Sequence, residues 1–268
     1  MQLRVRRERI TIPSLPDKLD GFTILHVSDI HFNEETKSNQ LLWDELHAKS
    51  ADLILVTGDF ITHDSYIESL CKYLEGTKAQ DGVYGILGNH DYYYRTLWQH
   101  FRHKVLGIDY IQNDWKRLVD SLCSIGIRVL VNEHVLIHSV RGSAIYLEGT
   151  DDPVLGSPVV ASVCPEYLSS DLKILMSHSP DILYSSEMQK KKFEILLSGH
   201  THGGQIRVPG IGALLTGTDN ATRNEAYGLY RKDHMSVNVS AGIGYSLLPL
   251  RINCPAEIIS IELTGSPR

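Results

Sequence analysis

The run LLSGHTHGGQI at residues 196–206 closes a short apolar segment with two histidines and two glycines. His200 and His202 stand two positions apart, so their side chains point to the same side if the backbone is extended. Imidazole is the commonest nitrogen ligand of transition metals in proteins. The spacing indicates part of a metal site, which other segments of the chain would have to complete.

Four more apolar runs also end in residues that can bind a metal or move a proton. In open α/β sheets, ligands bind beyond the carboxyl ends of the strands, where side chains distant in sequence meet. Each residue by itself is as well explained as a helix cap. Together they would crowd charges at one sheet edge, which is costly without a cation, so we expect one shared site. The runs are residues 22–32, 52–60, 82–91 and 172–180, and they contribute Asp29, His31, Asp59, Asn89, His90, Asp91 and His178.

The same runs indicate the fold class. Continuous Ile, Leu and Val segments are typical of strands buried on both faces of a sheet. Helical patterns at 39–50 and 65–76 separate the early runs, so we expect an α/β fold with a largely parallel sheet. Residues 205–263 are rich in glycine and short alternating runs, which predict antiparallel strands. We expect residues 1–268 to form a single domain of two packed sheets with helices outside.

Composition narrows the function classes. The 268 residues carry a formal net charge of −6, which argues against a nucleic-acid binder. No apolar run is long enough to span a bilayer, and no obligate protein partner is evident. Cys71, Cys123, Cys164 and Cys254 stand singly. They predict reduced, inert core thiols in a cytoplasmic protein.

The series D-x-H, G-D, G-N-H-D, H and G-H-T-H resembles the calcineurin-like metallophosphoesterase superfamily, from about Phe22 to Leu263. The stretches RITIPSLPDKLDGF, HTHGGQIRVP and GIGYSLLPLRINCPAEI are similar to a bacterial branch described as YkuE-like or YaeI-like phosphoesterases. The resemblance implies a four-layer α-β-β-α sandwich of two mixed sheets. It also implies a dinuclear metal site at the carboxyl ends of the strands.

The resemblance implies two metals that share one carboxylate, Asp59. Mixed oxygen and nitrogen ligands suit Mn²⁺, Fe or Zn²⁺ better than Mg²⁺ or Ca²⁺, and Mn²⁺ is the expected ion. A metal-bridging hydroxide would attack phosphorus in a phosphodiester or pyrophosphate bond. The implied ligands are Asp29, His31, Asp59 and His202 for one metal and Asp59, Asn89, His178 and His200 for the other.

Three further residues have roles in this scheme. His90 would stabilise the transition state or protonate the leaving group. Asp91 would either orient His90 or cap a turn. Arg251 would either reach a substrate phosphate or form a surface salt bridge. Asp151 and Asp152, in GTDDP, are expected to cap a turn, and the remaining histidines, including His26 and His134, to be core or surface residues.

The segment 92–115, directly after GNHD, bears on the substrate. Its aromatic residues, which include Trp98 and Phe101, alternate with basic residues such as Arg95 and Lys104. One interpretation is an amphipathic helix whose aromatic side chains pack on the domain. The other is a lid or interfacial segment, with Trp98 and Phe101 contacting acyl chains of the substrate.

The N-terminal segment 1–20 also has two interpretations. Its arginines belong either to a half-buried edge strand or to a patch for anionic lipid headgroups. Some lipid A pathway pyrophosphatases belong to or near the branch named above. The best hypothesis is therefore a lipid-linked substrate such as UDP-2,3-diacylglucosamine, with peripheral contact at the inner face of the membrane. The alternatives are a nucleotide or general phosphodiesterase and a catalytically silent scaffold.

Overall fold

The computed structural model of the chain describes residues 3–37, 39–48, 50–94, 97–245 and 249–266. The strands, in chain order, are β1 Leu3–Thr11, β2 Thr23–Val27, β3 Leu53–Thr57, β4 Val83–Ile86, β5 Tyr93–Tyr94, β6 Ile111–Gln112, β7 Ile127–Val129, β8 Glu133–His138, β9 Ala144–Gly149, β10 Leu172–Met176, β11 Ile195–Ser198, β12 Arg207–Val208, β13 Gly212–Ala213, β14 Gly228–Lys232, β15 Met235–Val239 and β16 Ala256–Thr264. The α-helices are α1 Glu34–Lys37, α2 Gln40–His47, α3 Ile67–Leu74, α4 Asn89–Tyr92, α5 Leu97–Leu106, α6 Trp115–Ser124 and α7 Pro165–Ser169. Short 3-10 turns cover Asp17–Leu19, Asp64–Tyr66, Pro180–Tyr184, Ser186–Gln189 and His202–Gly204.

Two six-stranded mixed sheets carry the fold. The first has the order β1-β16-β2-β3-β4-β7 and the second the order β14-β15-β11-β10-β9-β8. The pairs β2–β3, β3–β4, β9–β10 and β10–β11 are parallel. Because the five predicted apolar runs become β2, β3, β4, β10 and β11, their carboxyl ends lie at matching edges of the two sheets, as expected.

Three apolar layers hold the fold together, one between the two sheets and one on the outer face of each sheet. Between the sheets, side chains such as Phe22, Leu55 and Leu197 are fully buried. Helices α2, α3 and α6 cover the outer face of the first sheet, and α7 with the neighbouring 3-10 turns covers the second. Continuous burial on both faces explains why the central strands lack the alternation of a half-exposed sheet. The four-layer sandwich is therefore confirmed.

The prediction of antiparallel strands in the C-terminal part is only partly correct. Strand β14 pairs antiparallel with β15, β12 with β13, and β16 with β2. However, β15 pairs parallel with β11, and β16 pairs parallel with β1. The alternation of a strand reflects which faces are buried and does not encode the direction of its neighbour, so this pattern could not distinguish the two cases.

The N-terminal arginines belong to an edge strand. In β1, Arg4 and Arg6 form ion pairs of 3.1 and 3.2 Å with the buried carboxylate of Glu257. Arg9 lies 3.2 Å from Glu262. Glu257 also accepts a hydrogen bond from the backbone N–H of Ala241. Three of the N-terminal arginines are thus engaged within the first sheet, which supports the edge-strand interpretation over a lipid-binding patch.

The segment after α4 divides into a packed and an exposed part. The rings of Tyr92 and Trp115 make an edge contact at 5.4 Å against the helical layer. Trp98 and Phe101 on α5 stack on each other and remain 63% and 50% exposed, so they do not pack on the domain. Arg95 lies outside the described residues. Within the described ranges, α5 included, no helix is long and apolar enough to cross a bilayer.

A buried ion pair under the second sheet gives a test of the fold. Nζ of Lys191 lies 2.6 Å from Oε2 of Glu148 and 2.7 Å from the hydroxyl of Tyr146, and both charged side chains are buried. Lys191→Met would leave the Glu148 carboxylate without its cation, so we expect the free energy of unfolding to fall by ~3–5 kcal/mol in urea denaturation. Lys190→Met, which removes a more exposed pair with Glu187, should cost less than ~1 kcal/mol. Equal effects of the two substitutions would contradict this account.

Candidate metal centre

The predicted ligands lie on loops with a strained backbone. Left-handed φ angles are uncommon outside glycine and cost about 1–3 kcal/mol each. The loops after β2 and β3 run side by side, because the N–H of Asp29 donates to the carbonyl of Gly58 and the N–H of His31 to that of Asp59. These turns direct several side chains into one volume. The left-handed residues there are Asp29 at 49°, His31 at 43°, Asp59 at 53°, His200 at 67° and His202 at 49°.

A first set of four buried donors meets at this edge. Nε2 of His31 lies 3.2 Å from Nε2 of His202 and 3.3 Å from Oδ2 of Asp59. Nε2 of His202 lies 3.5 Å from Oδ1 of Asp29. A charge-assisted hydrogen bond would be shorter, about 2.8 Å, whereas donors around a tetrahedral ion lie about 3.4 Å apart. The spacing therefore fits a divalent cation held by these four residues, which converge closely enough to share one.

A second set of donors adjoins the first through Asp59. Nε2 of His178 lies 3.4 Å from Oδ2 of Asp59 and 3.3 Å from Nδ1 of His200. Nδ1 of His200 lies 2.9 Å from Oδ1 of Asn89. The same carboxylate oxygen of Asp59 thus faces one imidazole of each set. All seven residues predicted as ligands are brought together.

Backbone carbonyls determine which nitrogen of two histidines faces this volume. Nδ1 of His178 is 2.7 Å from the carbonyl of Thr57, and Nε2 of His200 is 2.9 Å from the carbonyl of Gly217. A carbonyl can only accept, so each of these nitrogens carries the proton. The opposite nitrogen of each ring faces the second donor set, where it would give its lone pair to a metal in place of a proton, as ligating histidines do.

Burial and neighbouring charges shift the pKa values of the donors. Burial raises the pKa of Asp29 to about 6, with Asp59 adding to the effect. Burial would also raise the pKa of Asp59, but the imidazoles of His178 and His90 hold it well below its usual range. Burial lowers the pKa of His178, yet the carboxylates of Asp59 and Asp29 outweigh it and raise that pKa well above the ordinary value. Positive charge between these carboxylates is therefore favourable, and a divalent cation supplies it.

A buried chain of hydrogen bonds supports Asp29 from behind. Nε2 of His26 lies 2.9 Å from the hydroxyl of Thr57, which donates to Ser28 over 2.8 Å. Ser28 donates to Oδ2 of Asp29 over 2.6 Å. His26 is a buried core residue, in line with the prediction, but the sequence did not indicate its position behind the site. The sequence feature that could have indicated this chain is the hydroxyl residue at the end of each apolar run, Ser28 in one and Thr57 in the other.

His90 and Asp91 occupy different places in the site. The imidazole of His90 meets that of His31 edge-on, with 4.6 Å between ring centroids, and its backbone N–H donates to Oδ1 of Asp59 over 2.8 Å. The carboxylate of Asp91 accepts from the N–H groups of Ile61 and Gly88. These bonds are those of a cap that joins the loops after β3 and β4.

Arg251 is turned toward the protein. Its guanidinium donates to the carbonyls of Ala241, Gly244 and Cys254. It also lies 3.3 Å from Nδ1 of His202. The structure thus places Arg251 as a clamp on the loop beside His202.

The GTDDP turn lies closer to the site than the sequence indicated. Asp151 accepts from the N–H of Ser157, and Asp152 accepts from that of Leu155, so both cap a turn as predicted. Asp152 is nevertheless fully buried, and this burial raises its pKa to about 6 while His178 opposes the rise. No spacing pattern distinguishes such a carboxylate from an exposed turn residue.

The comparisons with known proteins agree with this geometry. The profile of the calcineurin-like phosphoesterase family matches residues 22–204. The metallophosphoesterase YkoQ of Bacillus subtilis is 28% identical over 90% of this chain and 86% of its own length. YkuE of the same organism is 29% identical over 94% and 82%. Phosphodiesterase YaeI of Escherichia coli is 27% identical over 92% and 84%.

Gly199 gives a test of the close approach that the site requires. A Cβ at this position would overlap Oγ of Ser28 and Oδ2 of Asp29, so Gly199→Ala should displace a ligand and lower the bound metal at least about tenfold. Metal content after dialysis, measured by plasma emission spectrometry, reports the loss. Gly265→Ala, whose Cβ would meet only open space apart from one ordinary contact, should retain the wild-type content. Full metal loading of Gly199→Ala would refute the assignment of this edge as the metal centre.

Proposed function

The chain belongs to the calcineurin-like phosphoesterase family and is a metal-dependent hydrolase of phosphoester bonds; from this premise, we propose that it holds two divalent ions and cleaves a lipid-linked phosphodiester or pyrophosphate. The proposed ligands are the two donor sets that share Asp59. Mixed nitrogen and oxygen donors favour Mn²⁺, with Fe or Zn²⁺ as the other ions that suit them.

The shared carboxylate carries the two-metal proposal. Oδ2 of Asp59 lies 3.3 Å from Nε2 of His31 and 3.4 Å from Nε2 of His178. A carboxylate between two donor sets can hold two ions ~3.5–4 Å apart, the separation used in two-metal phosphoester hydrolysis. When bound, such ions neutralise the phosphate charge and make water nucleophilic near neutral pH.

The side chains around the donors would orient and protonate the substrate. We propose His90 as the acid that protonates the leaving oxygen, because its imidazole adjoins His31 and its backbone is held by Asp59. Asp91 would position His90 by tying the loop that carries it to the loop after β3. Arg251 would act by holding His202 in place, since its donors are engaged by backbone carbonyls.

Exposed apolar side chains near the site support a lipid-linked substrate. Helix α5 begins at Leu97, a short distance in sequence after α4 and β5; α4 carries Asn89 and His90, and Trp98 and Phe101 of α5 face solvent. Leu215, which is 81% exposed, lies two residues before Gly217, whose carbonyl holds His200. Apolar groups on segments that adjoin the ligands on two sides fit acyl chains beside a phosphate. Such a substrate would bring the protein into peripheral contact with the cytoplasmic face of a membrane.

Hydrolysis of two substrates tests the proposal. Purified protein in Mn²⁺ should hydrolyse UDP-2,3-diacylglucosamine and, more slowly, bis-p-nitrophenyl phosphate, and EDTA should abolish both reactions. Asn89→Ala removes one donor from the second set and should lower kcat at least ~100-fold. Asn89→Asp, which retains an oxygen at that position, serves as the matched control and should lose less.

The outcomes separate the substrate class from the chemistry. Turnover of the diester alone would retain the metal chemistry and discard the lipid substrate, in favour of a general or nucleotide phosphodiesterase like the one that the name of YaeI describes. No turnover of either compound by the metal-loaded protein would indicate a silent scaffold.

Removal of the exposed aromatic side chains tests the lipid contact separately. Trp98→Ala and Phe101→Ala should each lower kcat/KM for the lipid substrate about tenfold or more, the effect of losing one buried aromatic contact. Hydrolysis of the small diester should stay unchanged. Trp43→Ala, which removes another exposed tryptophan from α2, is the control. Equal losses on both substrates would show that α5 acts on the fold or on the chemistry and not on an acyl chain.

A further inference from the structure

A second group of metal-binding side chains lies on the outer face of the second sheet. Nε2 of His134, Sγ of Cys164 and a carboxylate oxygen of Glu166 all lie within 4.8 Å of one another. The sulfur is 3.8 Å from Nε2 of His134. Zinc–sulfur and zinc–nitrogen bonds of about 2.3 and 2.1 Å in a tetrahedron place the two donors about 3.6 Å apart. The observed spacing thus needs only a small adjustment to hold an ion.

The imidazole of this group is held from one side. His134 is on the edge strand β8, and its ring stacks on that of Tyr146, with 5.1 Å between centroids and 23° between planes. The Tyr146 hydroxyl donates to Glu148 and accepts from the buried ammonium of Lys191. Tyr146 is therefore fixed by two hydrogen bonds and by burial, and the ring of His134 is oriented against its face.

The other two donors come from the start of α7. Cys164 is the residue before the helix, Pro165 occupies its first turn, and Glu166 follows. Cys164 and His134 are half-buried, and Glu166 is exposed. Cys164 is thus half-buried and not the fully buried core residue that the sequence predicted, and solvent reaches the group. The three donors share no strand or helix with the ligands of the phosphoesterase centre.

We propose that His134, Cys164 and Glu166 form a separate Zn²⁺ site that ties α7 to the edge of the second sheet. A thiolate, an imidazole and a carboxylate suit Zn²⁺, whereas Mn²⁺ and Mg²⁺ prefer all-oxygen or mixed oxygen and nitrogen sites. On binding, the thiol of Cys164 releases its proton to solvent and the sulfur donates to the ion. Three protein ligands leave the fourth position of the tetrahedron to water.

Cobalt binding to the full-length chain tests this site, because a near-ultraviolet thiolate-to-Co²⁺ charge-transfer band requires a cysteine ligand. The phosphoesterase centre, as assigned, has only nitrogen and oxygen donors and gives no such band. The Co²⁺-loaded wild type should show the charge-transfer band. Added Zn²⁺ should displace the Co²⁺ and abolish the band, whereas added Mn²⁺ should leave it unchanged. Cys164→Ser should remove the band, His134→Ala should weaken Co²⁺ binding at least tenfold, and Cys123→Ser, at an exposed cysteine, should change nothing.

The remaining outcomes are equally distinct. Absence of the band in wild type would overturn the proposal and leave Cys164 with a weak S–H contact to His134. A band that survives in Cys164→Ser but disappears in Cys254→Ser would also overturn it, since Cys254 contacts the carbonyl of His202. If Cys164→Ser does not fold, the rate of thiol alkylation in the wild type decides. Zn²⁺ should slow the alkylation of Cys164 at least tenfold more than that of Cys123, and equal protection would refute the site.

Hydrolysis of bis-p-nitrophenyl phosphate by His134→Ala should match that of the wild type, which separates this site from the proposed function.

Discussion

The position of one buried carboxylate, that of Asp59, governs the architecture of the site. Oδ1 holds the backbone of His90, Oδ2 faces the imidazoles of His31 and His178, and the backbone carbonyl accepts from His31. A buried carboxylate is tolerated only when charged or hydrogen-bonding partners surround it. The loops after β2, β3 and β4 must therefore close around Asp59 together, and the left-handed turn at Asp59 is retained because they do.

The site also lies at the junction of the two sheets. The first sheet supplies Asp29, His31, Asp59 and Asn89, and the second supplies His178, His200 and His202. The distance between the ligands of the two sheets is set by the apolar layer between the sheets and by glycines that allow the two backbones to approach closely. A Cβ on Gly199, just after β11, would overlap Ser28, just after β2, and a Cβ on Gly149 would overlap Ile86. A loss of packing between the sheets would consequently divide each donor set, because each set takes residues from both sheets.

The sequence predicted those elements whose residue pattern is compatible with only one kind of secondary structure. Buried parallel strands are continuous apolar runs, so β2, β3, β4, β10 and β11 were identifiable, and the polar residues that follow them were found with them. Strands β15 and β16 each have one antiparallel neighbour, as predicted, but the parallel neighbour of each was not predicted, because alternation reports burial and not orientation. His26, Asp152 and the clamp made by Arg251 were missed for a related reason. The role of each of these residues depends on a backbone group or a charge that is close in space but distant in sequence. Local residue spacing carries no information about such contacts.

The position of β16 in the first sheet affects the order in which the strands can pair during folding. This last strand lies between β1 and β2, and it supplies the only hydrogen-bonded neighbour of β1 in the sheet order of the described residues. Strand β1 therefore pairs only once β16 has been made, and nearly all the other described strands lie between the two in sequence. Such distant pairings slow folding and prolong the exposure of unpaired strand edges. Among the strands of the first sheet, β1 is thus the one whose edges stay unpaired longest and that a chaperone would have to shield longest.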